Sequence, residues 1–162
     1  MTLLETINLI NEIARSHENI NNVIESGDIF ELNTDNFEAK YSAFCATQNA
    51  HQMVGDSYIR FNFTLYYVDR LTASKDNKNT IQSTAVNVLV AIVNDLMKNT
   101  DINLEYSEIS TFTQRFGAEC AGGYISTEVP FFLLSDFYAE CKAPSVLNGT
   151  TLLLSLRGPP MA

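Results

Sequence analysis

The stretch from Tyr58 to Met97 constrains the fold of this chain more than any other part of it. Between Tyr58 and Val68 the residues alternate. Ile59, Phe61, Phe63, Leu65 and Tyr67 fall on one side, and Arg60, Asn62, Thr64, Tyr66 and Val68 on the other. A period of two over this length predicts a long strand with one face on a core and the other toward water or a partner. The strand runs through Asp69-Arg70-Leu71 into a polar connection, Ser74 to Asn79, and a helix is predicted from Thr80 to Met97. Ile81, Ala85, Val88, Leu89, Ile92 and Leu96 make one apolar stripe on that helix, and Val86, Val90, Val93 and Met97 make a second. A helix apolar around so much of its girth is covered on more than one side, by core or by a neighbouring subunit. The strand–turn–helix unit holds no nucleophile, metal ligand or phosphate loop, so it reads as scaffold.

Other elements arrange themselves around this unit. Thr2 and Glu5 form a T-x-x-E capping box, and Leu3, Ile7, Ile10, Ala14 and His17 give the following helix an apolar face down to about Ser16. Val23-Ile24 and Ile29 to Leu32 read as short β-type pieces around the turn Ser26-Gly27-Asp28, with a second turn at Asn33 to Asn36. Tyr41 to Thr47 is predicted as a strand, and Gln48 to Asp56 as a polar loop. After the second helix come two strands, Leu104 to Thr111 and Cys120 to Val129, bridged by Phe112 to Phe116 with Gly117 as the turn. Thr151 to Leu156 reads as one more strand, and Gly158-Pro159-Pro160 ends regular structure. The order indicates an α+β fold: an N-terminal helix, an antiparallel sheet of long hairpin-type strands, one central amphipathic helix packed on it, and an extended arm. Residues 1–144 are expected to form the domain and 145–162 the arm.

A chain of 162 residues, 46% hydrophobic and 18% charged, can bury a substantial core without disulfides or metals. Its net charge of −9 argues against a nucleic-acid grip by an isolated subunit. Cys45, Cys120 and Cys141 are odd in number, widely spaced and in no C-x-x-C pattern, which suggests buried free thiols in a reducing compartment. Met1 leads straight into an amphipathic helix rather than a signal peptide, and no unbroken apolar run approaches the ~20 residues of a membrane span.

Chemistry-bearing residues are few. His17 lies on the apolar side of the first helix and suits a core or capping role; His51 sits in a polar loop and suits a solvated one. No histidine–acid or H-x-x-x-H spacing suggests a metal, and none of the serines or cysteines stands in a nucleophile motif. Ala121-Gly122-Gly123 lacks nucleotide-loop spacing and stands before a strand, so close backbone packing or a bulge explains it. Neither an enzyme nor a cofactor is expected.

Four segments carry a resemblance. They are Ser16 to Asn21 leading into Ser26 to Leu32; the strand end Val68-Asp69-Arg70-Leu71; Asn77, Asn79, Ile81, Gln82 and Ser83 opening a helix that continues to Asp95-Leu96; and Phe112 to Phe116 with Glu119, Ala121-Gly122, Glu128-Val129-Pro130 and Cys141 to Pro144. In order and spacing they resemble the ring-forming head–tail connector and tail-terminator proteins of tailed bacteriophages, especially those of Bacteroidetes and their crAss-like phages. The family typically carries Trp where this chain has Phe30, and its members usually end soon after the Cys-x-x-Pro stretch.

The resemblance implies a virion structural protein of the neck or tail barrel, assembled in the host bacterial cytoplasm. It would form a closed homo-oligomeric ring, twelve-fold favoured over six-fold, stacked on other neck or tail ring proteins or the portal. DNA would pass through an acidic bore without sequence-specific binding, and no membrane would be involved. Candidate subunit contacts are Val86, Val90, Val93 and Met97 of the second stripe; Ser74, Asp76, Asn77 and Lys78 of the turn; Gln52 of the loop; and Leu152, Leu154 and Leu156 of an arm that docks on a neighbour. The competing reading is a soluble α+β module that holds a peptide or small ligand on the same sheet.

Overall fold

The capping box at the N-terminus forms as its spacing requires. In this computed structural model, which describes residues 1–33, 41–55, 58–100 and 104–132, helix α1 spans Leu3–Arg15. The Glu5 amide donates to the Thr2 hydroxyl at 3.2 Å, and the Glu5 carboxylate accepts from the Thr2 amide at 2.9 Å. Two backbone donors that the first turn leaves without partners are thereby satisfied. The helix buries Thr6, Ile10, Asn11, Ile13 and Ala14.

Among the described residues seven strands make one sheet: β1 (Asn22–Ile24), β2 (Ala43–Gln48), β3 (Gln52–Val54), β4 (Tyr58–Arg70), β5 (Glu105–Tyr106), β6 (Ser110–Arg115) and β7 (Glu119–Phe132). Their order is β1-β2-β4-β7-β5, with β3 also paired to β4 and β6 to β7. The sheet is mixed rather than wholly antiparallel, because β1 runs parallel to β2. The pairs β2–β4, β3–β4, β5–β7 and β6–β7 are antiparallel. Helix α2 (Lys78–Thr100) follows β4 directly, and Met1–Phe131 make one compact unit with one α+β core.

The period of two in β4 sorts its side chains as expected. Phe61, Phe63, Leu65 and Tyr67 are buried in the main core with Phe44 and Ala46 of β2 and Ala121, Ile125 and Val129 of β7. Onto this face fold Ile10, Ile13 and Ala14 of α1 and the whole first stripe of α2. Each large apolar side chain fully buried there is worth ~1.5–3 kcal/mol relative to exposure. The opposite face carries a smaller cluster, in which Ile24, Ile29, Leu32, Ala43, Cys45, Val68, Phe116 and Cys120 meet.

Several local expectations change. Ile29–Asn33 is a 3-10 helix, not a strand. Ile29 and Leu32 both turn inward, a spacing of three that suits a tight helix, while the Asp28 side chain accepts from the Phe30 amide at 3.0 Å. The loop expected over Gln48–Asp56 contains β3, whose Gln52, Met53 and Val54 pair with Arg60, Ile59 and Tyr58. Leu104–Thr111 is not one strand but β5, a break, and the start of β6. Phe112 to Arg115 belong to β6, so the bridge shrinks to Phe116-Gly117-Ala118, where the Gly117 amide is held by the Leu32 carbonyl at 2.9 Å. Helix α2 runs longer than expected at both ends. By length and composition alone it could cross a membrane, yet its first stripe is packed on this chain's own sheet. Thr34 to Asn36, Cys141, the domain boundary at residue 144 and the arm of 145–162, with Leu152, Leu154 and Leu156, lie outside the described residues.

The glycine pair, which lies within β7 near its start, does pack closely. A Cβ on Gly122 would stand 2.0 Å from the Tyr67 carbonyl oxygen, and one on Gly123 would stand 3.2 Å from Ala85 Cβ. Nothing lies within 4 Å of a Cβ on Gly55, although its φ is +62°. Gly122→Ala should therefore cost at least ~2 kcal/mol of stability by urea denaturation, because β4 and β7 must part, whereas Gly55→Ala should cost only ~1 kcal/mol of backbone strain. Equal losses would contradict this packing.

Candidate functional site

Helix α2 decides where the first candidate surface lies. Val93 is only 3% exposed and Met97 packs against the core, in a chain where α1 also lies against α2. Val86 is half-buried, and Val90 is 43% exposed. Of the second stripe, then, Val90 and the edge of Val86 face outward, while Val93 and Met97 serve the chain's own packing.

The turn before α2 is tied down rather than loose. The Thr72 hydroxyl donates to the Asp76 carboxylate at 2.8 Å, and the Asn77 side chain takes the Thr72 amide at 3.0 Å and donates to the Arg70 carbonyl at 3.1 Å. Hydrogen bonds from the Thr72 and Ser74 hydroxyls hold the Asp76 carboxyl below its ordinary range. Ser74, Asp76 and Lys78 are exposed; Asn77 is half-buried, and Lys78 already belongs to the first turn of α2. Gln52 is exposed on β3, opposite Arg60.

This turn forms one wall of a hollow of about 410 Å³ lined by Leu71, Lys75, Lys78, Thr113, Gln114, Arg115, Glu119 and Cys120. Glu119 sits among the cations, 2.8 Å from Lys75 Nζ and 3.5 Å from Arg115 Nη1, and Lys75 above all lowers its pKa. At the other end of β7 a hollow of about 260 Å³ is lined by Glu105, Tyr106, Ser107, Ser126 and Glu128. Glu128 Oε1 stands 3.3 Å from Arg60 Nη1 yet accepts no aligned hydrogen bond. Sequence reading finds the basic wall only through its turn. Arg115 and Glu119 join it because the β6–β7 register sets them opposite each other.

An aromatic groove of about 270 Å³ escapes sequence reading altogether. It lies on the sheet face away from α2, lined by Ile29, Phe30, Tyr66, Phe112, Gln114, Phe116 and Tyr124. Tyr66, Phe112 and Tyr124 meet with ring centroids 5.7–6.5 Å apart. Phe30, at 56% exposed, tilts against Phe116 at 6.2 Å. The available signal is three aromatics at outward positions of three different strands.

Among the described residues, both histidines and two cysteines make structural contacts. His51 is not solvated: its ring packs on Phe61 and Phe63, and its Nδ1 accepts from the Asn62 amide at 3.2 Å. His17 is half-buried past the end of α1, where its Nδ1 accepts from the Asn19 amide at 3.3 Å. Cys45 and Cys120 are buried free thiols; burial pushes Cys45 up to about 11 and raises Cys120 as well. Thiols held protonated are poor nucleophiles. No group of three or more histidine, cysteine or acidic side chains that could hold a metal occurs among the described residues. Comparison with protein-family models and with curated proteins finds no match to this chain.

The raised thiols make stability depend on alkaline pH. Between the ordinary thiol value of 9.0 and about 11, the unfolded chain releases the Cys45 proton while the folded chain keeps it. The stabilisation is therefore complete below pH ~9 and lost as pH rises to ~11. Burial raises the Cys120 thiol and the Tyr66 and Tyr67 phenols in the same direction. Urea denaturation at pH 8 and pH 10.5 should show a loss of ~2 kcal/mol or more, smaller in Cys45→Ala. A flat profile would contradict the burial of these groups.

Proposed function

We propose that this chain is a structural ring subunit of a tailed-phage virion, which joins adjacent rings of the neck or tail barrel and forms part of the DNA channel. The observation that carries this reading is a core closed within one chain beside surfaces left open at its rim. Val90, the two charged hollows and the aromatic groove are all accessible, and they lie outside the main core. The phage assignment rests on the resemblance of the four segments, in which the strand end at Val68–Leu71 and the opening of α2 follow in family order. A subunit of this kind works by self-association around an axis and by docking between layers, without catalysis. A ring multiplies the charge of −9 by its copy number, and an acidic bore lets DNA pass without adhering. The aromatic groove favours one other reading, a peptide-binding module, in which the chain would stay monomeric and be stabilised by its ligand.

Size measurement and one pair of variants test this. The purified protein should form closed rings of six or more subunits in electron micrographs. Val90→Asp should keep the wild-type melting temperature but lose the ring. Val93→Asp should fail to fold, because an unpaired carboxylate in the core costs several kcal/mol. A wild-type protein that is monomeric at all concentrations would overturn the ring, and ligand-dependent stabilisation would favour the module.

A further inference from the structure

The described cations of this acidic chain are unevenly placed. Lys75, Lys78 and Arg115 converge on one hollow, with Glu119 the single carboxylate in its lining. Asp69, Arg70 and Asp76 flank the same turn and together add one negative charge, so Arg70, Lys75, Lys78 and Arg115 exceed Asp69, Asp76 and Glu119 by one. The hollow at the far end of β7 is lined by Glu105 and Glu128, with Glu108 exposed just beyond β5. Arg60 engages Glu128 there, and Lys98 pairs with Asp95 at 3.7 Å on the last turns of α2. The run of β7 from Glu119 to Glu128 separates the two ends by about 30 Å at ~3.3 Å per residue. Charge is thus uneven along β7, slightly positive where α2 begins and negative where it ends, with the lysines and Arg115 gathered in the first hollow.

We infer that the basic hollow of Lys75, Lys78 and Arg115 docks the acidic hollow of Glu105 and Glu128, with Glu108 beside it, on a second copy of this chain. This rests on the ring reading and names the contact between its subunits. Like ends repel, so two copies meeting head to head or tail to tail are disfavoured, and head-to-tail contact is favoured. A contact between two different patches of the same chain leaves each copy with one patch still open, and such heterologous contacts close into a ring when the rotation from copy to copy closes. Apolar surface is available at both patches: Leu71 lines the basic one, and Tyr106, 58% exposed, lines the acidic one. The charges supply orientation and register, while these apolar residues are desolvated between them.

Charge exchange tests the contact. Lys75→Glu/Lys78→Glu makes both ends acidic, and Glu105→Lys/Glu108→Lys makes both basic. All four positions are exposed, so each variant should retain cooperative melting, checked by circular dichroism. By mass photometry at low salt, each variant alone should need at least tenfold more protein than the wild type to assemble. A one-to-one mixture should restore rings of alternating subunits with even copy number, and 1 M NaCl should weaken the wild-type ring. Wild-type rings that neither variant disturbs would overturn this contact and leave the ring reading standing. Folded variants that fail to assemble when mixed would likewise overturn it. A wild type that never assembles would overturn both.

Discussion

The pairing of β7 against β4 is the constraint on which the rest of this structure depends. β4 pairs with β2, β3 and β7, so it is the spine of the sheet. Its carbonyl at Tyr67 comes so near Gly122 that a Cβ there would lie at 2.0 Å. Gly123, one residue on, lets Ala85 and Leu89 of α2 settle on the sheet. The two glycines thus set both the strand separation and the depth at which the helix sits. Phe63, Leu65, Leu89 and Ile125 are buried on that footing, and the β6–β7 hairpin and the charged ends of the domain follow from it.

Much of this is legible in the sequence because the signals are local. The T-x-x-E box, the alternation of β4 and the first stripe of α2 each state their own geometry within a few residues. Gly122-Gly123 reads correctly as close packing because its spacing denies the nucleotide alternative. What sequence reading misses is what depends on partners distant along the chain. β3 is a three-residue strand, too short to show a period, that exists because β4 offers it an edge, and Phe112 to Arg115 extend because Glu119 to Gly122 lie opposite. Val93 reads as part of a second stripe that either core or a neighbouring subunit could cover, and the structure buries it in the chain's own core. His51 reads as solvated, yet Phe61 and Phe63 turn to meet it. The aromatic groove needs the register of three strands before its members can be placed together.

Several groups with chemical potential are already engaged by the fold. The histidines accept backbone amides, the two described cysteines are sealed in the core, and Glu119 is engaged by Lys75 and Arg115. Open surface remains at Val90, at the ends of β7 and in the aromatic groove. The ring reading takes these rims as the places where copies and neighbouring layers meet.

Hydrogen exchange followed by mass spectrometry at dilute and at concentrated protein tests this division between a finished core and an interactive rim most directly. The account predicts that amides of Phe61–Val68 and Val88–Val93 exchange only through global unfolding at both concentrations. Protection should rise with concentration at Leu71–Lys78, the β6–β7 hairpin and Glu105–Glu108. Fast exchange in the middle of β4 in dilute protein, or no concentration-dependent gain at either end of the domain, would contradict it.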